Sequence, residues 1–204
     1  MIKNIVFDMG GVIIDFDPEK TLKKYFGDKN DVELIKDVLF VKNVWGPMDQ
    51  GLMTVEEVAK EACGYLPKRL HEPLTKLLFR WWDEMPPFPE MCEFIRFLKE
   101  DMGFKIFLLS NTPPEFHKRK SQIPAFKYFD GFIASCDYKC VKPDPEIFII
   151  LFSTFGLLPE ECYFIDDMKR NTDAASKLGM KTHCYSHGNV NVLREAMRDE
   201  GIIN

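Results

Sequence analysis

The sequence predicts an α/β fold, a Rossmann-like parallel sheet core with an inserted all-helical cap, and three observations carry that prediction. Short runs rich in Ile, Val and Phe recur at 4–7, 105–109, 131–134, 163–165 and 181–185, and each closes on a polar or glycine-bearing turn. Runs of that length, apolar on both faces, suit strands buried in a parallel sheet. From Pro89 onward these runs alternate with helical patterns, as crossover connections require. Between Pro18 and about Met85 the alternation is interrupted, and amphipathic helical segments follow one another instead.

In chain order, the first strand leads through Asp8 into the insert, where helices are expected over 19–26, 31–41, 55–65 and 70–82. Gly27-Asp28, the segment 43–51 and Leu66-Pro67 separate them. The run Met85-Pro86-Pro87-Phe88-Pro89 is stiff in φ and reads as the return linker. A helix follows over 91–99, with Met91, Phe94, Ile95 and Leu98 at helical spacing. Another spans 145–155, opened by Pro145 and closed by Gly156. Helices over 172–178, closed by Gly179, and over 190–198 complete the pattern. The expected domains are a catalytic core of 1–17 with 86–204 and a cap of 18–85, without internal repeats or low-complexity stretches.

A chain of 204 residues fits one core domain with a smaller insert, since domains commonly run to about 100–200 residues. A hydrophobic fraction of 46% supports a sizeable core, and a net charge of −5 repels a phosphodiester backbone, so no nucleic acid is expected as partner. A local cluster of donors can still gather a small anion. Cys63, Cys92, Cys136, Cys140, Cys162 and Cys184 form neither a disulfide framework nor paired zinc-ligand spacings, so free thiols in a reducing compartment are expected. The apolar stretch near Met1 is too short for a signal peptide, and no run approaches the roughly 20 residues that span a bilayer. A cytoplasmic protein without a membrane partner is expected, as a monomer or weak homodimer.

Open α/β sheets bind ligands at the carboxyl ends of their strands, so the residues closing each run are the informative ones. Asp8, Gly10 and Gly11 follow the first run, Ser110 and Asn111 the second, and Asp166-Asp167 the fourth; Lys142 stands in Val141-Lys142-Pro143-Asp144-Pro145. A carboxylate, a hydroxyl, an ammonium and a carboxylate pair on one rim fit phosphoryl transfer. Two carboxylates about 4 Å apart repel by roughly 4 kcal/mol at an effective dielectric near 20, so Asp8 and Asp167 call for a cation between them. Oxygen ligands with open positions favour Mg²⁺ over Zn²⁺. Asp8 is then placed as a nucleophile on phosphorus, giving an aspartyl-phosphate that water resolves. Ser110 and Lys142 would hold phosphate oxygens, and Gly10 and Gly11 let the main chain approach. Trp45 and Asp49, in the segment 43–51, are candidates for selecting the substrate.

Four segments in order resemble the motifs of the haloacid dehalogenase-like hydrolases: Val6-Phe7-Asp8-Met9-Gly10-Gly11-Val12, Phe107-Leu108-Leu109-Ser110-Asn111-Thr112, Val141-Lys142-Pro143-Asp144-Pro145-Glu146-Ile147-Phe148, and Phe164-Ile165-Asp166-Asp167 continuing to Asn171. The resemblance implies a Rossmann-like core with a cap after the first strand, and Mg²⁺ as cofactor. It assigns Asp8 as nucleophile, the Gly10 carbonyl and Asp167 as metal ligands with Asp166 in support, and Ser110 and Lys142 as phosphate-site residues. Asn111 would touch phosphate or leaving group. Phosphatases and phosphomutases of this family usually carry a second aspartate two residues after the nucleophile, as general acid and base. Gly10 stands there, and the chain is most similar to the glycine-bearing subgroup that includes sugar-phosphate phosphatases of the α-glucose-1-phosphate type. General acid–base catalysis is worth about 10²–10⁴-fold, and leaving groups of low pKa lose least without it. Asp15, Asp17 and Asp49 are the substitutes in the sequence.

The expectation is a Mg²⁺-dependent phosphatase of a small phosphorylated metabolite, a sugar phosphate. Its rivals are a 2-haloacid dehalogenase, which leaves Asp166-Asp167 without a use; a phosphomutase, against which Gly10 counts; and a catalytically weak phosphate-binding or scaffold protein. Plainer readings stand beside these: Asp8 or Ser110 as turn residues, Lys142 as a solvated lysine, Asp166 as a helix cap. His117-Lys118-Arg119-Lys120 reads as a solvated helix face, Trp81-Trp82 as packing, and His71, His183 and His187 as non-ligands.

Overall fold

The computed structural model describes residues 1–185 and 189–204; the expected turn at Ser186, His187 and Gly188 lies outside them. Strands β1 (Asn4–Phe7), β2 (Lys105–Ser110), β3 (Gly131–Ala134), β4 (Cys162–Asp166) and β5 (Lys181–Cys184) form one parallel sheet in the order β3-β2-β1-β4-β5. β1 is central, and Phe7 lies opposite both Leu108 and Ile165. The chain therefore leaves β1 at Asp8 between the ends of β2 and β4, where successive connections diverge to opposite sides of the sheet.

The helices are α1 (Pro18–Tyr25), α2 (Lys29–Lys36), α3 (Gly46–Asp49), α4 (Val55–Tyr65), α5 (His71–Arg80) and α6 (Pro89–Glu100). After β2 come α7 (Phe116–Arg119), α8 (Ser135–Tyr138), α9 (Pro145–Phe155), α10 (Lys169–Lys177) and α11 (Val190–Asp199). Alternate strand residues divide between the two faces. Ile5, Phe7, Ile106, Leu108, Tyr163 and Ile165 join α6 and α11 in one apolar cluster, while Val6, Phe107, Leu109 and Phe164 join α9 and α10 in another.

Where sequence holds complete cap chemistry, helix ends fall as expected. α9 opens on Asp144, which accepts from the Glu146 amide at 2.9 Å, and closes on Gly156 in the left-handed region at φ 64°. α4 opens on a reciprocal capping box between Thr54 and Glu57. The single helix expected over 31–41 is instead α2 followed by a wider π turn at Asp37–Val41, which places both Val38 and Leu39 in the interior. The helix expected over 70–82 is α5 between two 3₁₀ turns, Lys68–Leu70 and Trp81–Glu84. α3 occupies the segment expected as a separator.

The helices between Pro18 and Arg80 gather around a third apolar cluster that includes Leu22, Ile35, Leu39, Val58, Leu74, Leu77 and Trp81. The expected return linker lies against the segment after β1: Asp15 donates its amide to the Pro86 carbonyl at 2.9 Å, and Phe88 to that of Ile13 at 2.8 Å. Met85 packs against this cluster and against the sheet's own.

Candidate active site

The carboxyl end of the sheet collects charged groups in a place that burial would otherwise forbid. Asp8 is 7% exposed, Lys142 2% and Asp166 0%. The Lys142 ammonium donates to Asp8 Oδ1 and to Asp166 Oδ2, both at 2.7 Å. Oxygens of Asp8, Asp166 and Asp167 all lie within 4.8 Å of one another. Burial pushes the Asp8 carboxyl up to about 7; Lys142 opposes that rise, and Asp166 and Asp167 add to it. Burial pulls the Lys142 ammonium down, but the two carboxylates outweigh it and hold it above its ordinary value. The site thus gathers three carboxylates, two of them bonded to the Lys142 ammonium. Its donors are hard oxygens, and a divalent cation of the Mg²⁺ type fits both their charge and their chemistry.

The supporting bonds explain why these groups stay in place. Asp8 continues β1 by donating its amide to the Ile165 carbonyl at 2.8 Å. Asp166 also accepts from the Met168 amide at 2.8 Å and from the Asn171 amide group at 2.9 and 3.1 Å, so its oxygens are well occupied. Asn111, expected at phosphate or leaving group, spends both ends of its side chain on Lys142: its Nδ2 donates to the Lys142 carbonyl at 3.0 Å, and its Oδ1 accepts from the Lys142 amide at 2.8 Å. It thereby fixes the segment bearing the ammonium. Ser110 ends β2, 1% exposed, with a long hydroxyl contact of 3.4 Å to the Asn111 carbonyl.

The glycines after Asp8 differ in purpose. Gly11 has φ +71°, and a Cβ there would lie 2.5 Å from Asp167 Oδ2, so only glycine admits Asp167 so close to this turn. At Gly10 a Cβ would lie 3.3 Å from the Cβ of Phe16 and 3.6 Å from its ring atoms Cγ and Cδ1.

The segment carrying Trp45 and Asp49 reaches the same end of the sheet. The Trp45 indole donates to Asp49 Oδ2 at 3.1 Å; burial pushes the Asp49 carboxyl up to about 7, and the indole bond opposes that. The Asp49 carbonyl accepts from the Ser135 hydroxyl at 2.5 Å, and the same hydroxyl accepts from the Thr112 amide at 2.9 Å. A Cβ on Gly51 would lie 2.5 Å from the Cys136 carbonyl. The loop around α3 is therefore fastened over the ends of β2 and β3.

Sequence reasoning gave no role to Ser135 or Asn171. Both carried a readable signal: Asn171 closes the fourth motif on the first turn of the next helix, and Ser135 directly follows the apolar run 131–134. Asp15 pairs with Lys20 at 2.5 Å, and Asp17 caps α1 by accepting from the Lys20 amide at 2.9 Å. His117, expected as a solvated residue, bonds to Asp137 at 2.8 Å, and Arg119 reaches Glu115 and Asp83. Trp81 packs against Phe40 and Trp45. Among the described residues no helix is long and apolar enough to cross a membrane.

Comparison with known proteins agrees with this geometry. The family model described as haloacid dehalogenase-like hydrolase matches residues 2–179. A phosphorylated carbohydrates phosphatase of Thermotoga maritima is 26% identical over 185 residues, covering 87% of this chain and 82% of its own. A D-ribitol-5-phosphate phosphatase of Bacteroides thetaiotaomicron is 27% identical over 198 residues, covering 92% and 94%. Among solved structures, an aspartate-to-alanine variant of a HAD family enzyme from Bacteroides thetaiotaomicron, in complex with magnesium and inorganic phosphate, superposes with a TM-score of 0.67 at 26% identity, covering 93% of this chain and 96% of that one.

Proposed function

This chain belongs to the haloacid dehalogenase-like hydrolases, and we propose that it is a Mg²⁺-dependent phosphatase of a small phosphorylated metabolite, a sugar phosphate, working through an aspartyl-phosphate on Asp8. The observation that carries the reading is the Lys142 ammonium buried between Asp8 and Asp166, with Asp167 within reach of both. Three carboxylates gathered so closely favour a divalent cation among them. Asp8, Asp167 and the Gly10 carbonyl would hold the ion, with Asp166 behind them. When bound, it offsets the negative charge of the phosphate oxygens and so lets an anionic carboxylate approach phosphorus.

The chain's own groups divide the remaining work. The Asp8 carboxylate attacks phosphorus, oriented by the Lys142 ammonium. Ser110 and Lys142 hold phosphate oxygens, while Asn111 and Asn171 fix Lys142 and Asp166. Residues 18–85 act as a cap over a core of 1–17 and 86–204, and closure keeps water out during the first transfer. The names of the two curated relatives support a phosphorylated carbohydrate as substrate, and six free cysteines support a reducing, cytoplasmic setting. Three clustered carboxylates have little use in metal-free attack on carbon, which disfavours dehalogenation. The test is a screen of metabolite phosphates in Mg²⁺ and again in EDTA. Hydrolysis of at least one sugar phosphate, lost in EDTA, is expected; metal-independent chloride release from 2-haloacids overturns the reading.

A further inference from the structure

We infer that α7 and α8 carry a second metal site, apart from the carboxylate cluster at Asp8, in which His117, Cys136 and Asp137 bind Zn²⁺. The site shares no residue with the proposed catalytic centre, so it stands whether or not the phosphatase reading does.

One ligand atom from each of the three side chains, a nitrogen, a sulfur and an oxygen, lies within 4.8 Å of the other two. His117 Nε2 is 2.8 Å from Asp137 Oδ1, and Cys136 Sγ is 3.8 Å from the same oxygen. Zn²⁺ holds N and O ligands at about 2.0–2.2 Å and S at about 2.3 Å, so a tetrahedral site needs ligand atoms roughly 3.3–3.8 Å apart. The three atoms bracket that spacing, and side-chain shifts of about 1 Å complete it. The fold holds them in place. α7 follows β2 and α8 follows β3, its parallel neighbour, so His117 is brought to the other two by strand pairing. The His117 ring also lies 6.0 Å from that of Phe132 on β3 and 5.6 Å from the fully buried Phe116. Because the ligands come from turns after two different strands, no zinc-ligand spacing marks them in the sequence.

Donor type and charge select the ion. Cys136 is 8% exposed; burial, then Asp137 and Asp49, push its thiol up to about 11, so it keeps its proton until a cation displaces it. His117 and Asp137 are exposed, which gives the ion a way in and a water for its fourth position. Thiolate and imidazole suit Zn²⁺, whereas the oxygens of Asp8, Asp166 and Asp167 suit Mg²⁺. A further group, Cys140, Asp144 and Glu146, has no imidazole, and its Asp144 already caps α9. Binding forms Zn–S, Zn–N and Zn–O bonds. The Cys136 proton passes to solvent, and His117 binds as neutral imidazole with its remaining proton on Nδ1. A Cβ on Gly51 would lie 2.5 Å from the Cys136 carbonyl, and Ser135 donates to the Asp49 carbonyl, so the ion clamps α7 to α8 beside the loop around α3.

The experiment adds Co²⁺ to the metal-free full chain in excess Mg²⁺, records the absorption spectrum, and then measures Zn²⁺ affinity by competition with a chromophoric chelator. Expected are one tightly held ion and a thiolate-to-cobalt charge-transfer band in the near ultraviolet, which an all-oxygen site does not give. His117→Ala and Cys136→Ser weaken Zn²⁺ by more than about 100-fold, beyond the range for losing a supporting residue, and Cys136→Ser removes the band. Asp8→Asn and Cys140→Ser keep both. A wild type without the band, a band that survives Cys136→Ser, or Zn²⁺ affinity unchanged by His117→Ala overturns the inference, the last two meaning adventitious binding to other groups. Should Cys136→Ser not fold, the exposed His117→Ala decides.

Discussion

Lys142 shows how much of this site depends on a single positive charge. Its ammonium lies 2.7 Å from oxygens of Asp8 and Asp166, and all three residues are at least nine-tenths buried. Breaking a buried pair by removing one partner costs about 3–5 kcal/mol, because the remaining charges stay behind in a poor solvent. Lys142→Met is therefore expected to lower stability by that amount in urea denaturation and to abolish turnover. A loss below about 1 kcal/mol, the range of exposed pairs, contradicts the buried network. The convergence of Asp8, Lys142, Asp166 and Asp167 was legible in the sequence because each closes or follows an apolar run, and parallel strands bring such ends together. The tasks of Asn111 and Asn171 were not, since they depend on the loop paths that bring their amides to the Lys142 main chain and the Asp166 carboxylate.

At the scale of elements, the loop around α3 is joined to the sheet by one hydroxyl. Ser135, fully buried, donates to the Asp49 carbonyl and accepts from the Thr112 amide. Ser135→Ala leaves both main-chain groups without that partner, and an unsatisfied buried polar group costs about 1–3 kcal/mol. Expected are a matching loss of stability and a several-fold rise in KM for a sugar phosphate, with kcat for a small aryl phosphate little changed. Equal loss of kcat on both substrates would instead mean that Ser135 acts on the chemistry. α4 and α9 began where expected because their caps are written in adjacent residues: Thr54 with Glu57, and Asp144 with Pro145. α2 ended early because the insert's packing, a property of distant residues, draws both Val38 and Leu39 inward. The contact between Phe16 and position 10 was likewise out of reach: both lie in the segment after β1, but Phe16 takes its place by packing against the insert's apolar cluster.

Across the whole molecule, the central position of β1 is what makes one aspartate the focus. Its two neighbours, β2 and β4, deliver Ser110 and Asp166 to either side, and the segment before α9 brings Lys142 across. The helical insert supplies Trp45, Asp49 and an aromatic surface against the turn that follows Asp8. Under the proposed function, sheet order sets where the chemistry occurs, and the insert sets what can be brought to it. The most direct test of this account is to trap the intermediate. The protein is mixed with an aryl or sugar phosphate in Mg²⁺, quenched in acid, and its peptides weighed by mass spectrometry. One phosphoryl group on the peptide containing Asp8 is expected, absent in EDTA and in Asp8→Asn, with turnover lost in both. Undiminished turnover by Asp8→Asn, or a phosphoryl group carried on another residue, contradicts the assignment of Asp8 as nucleophile.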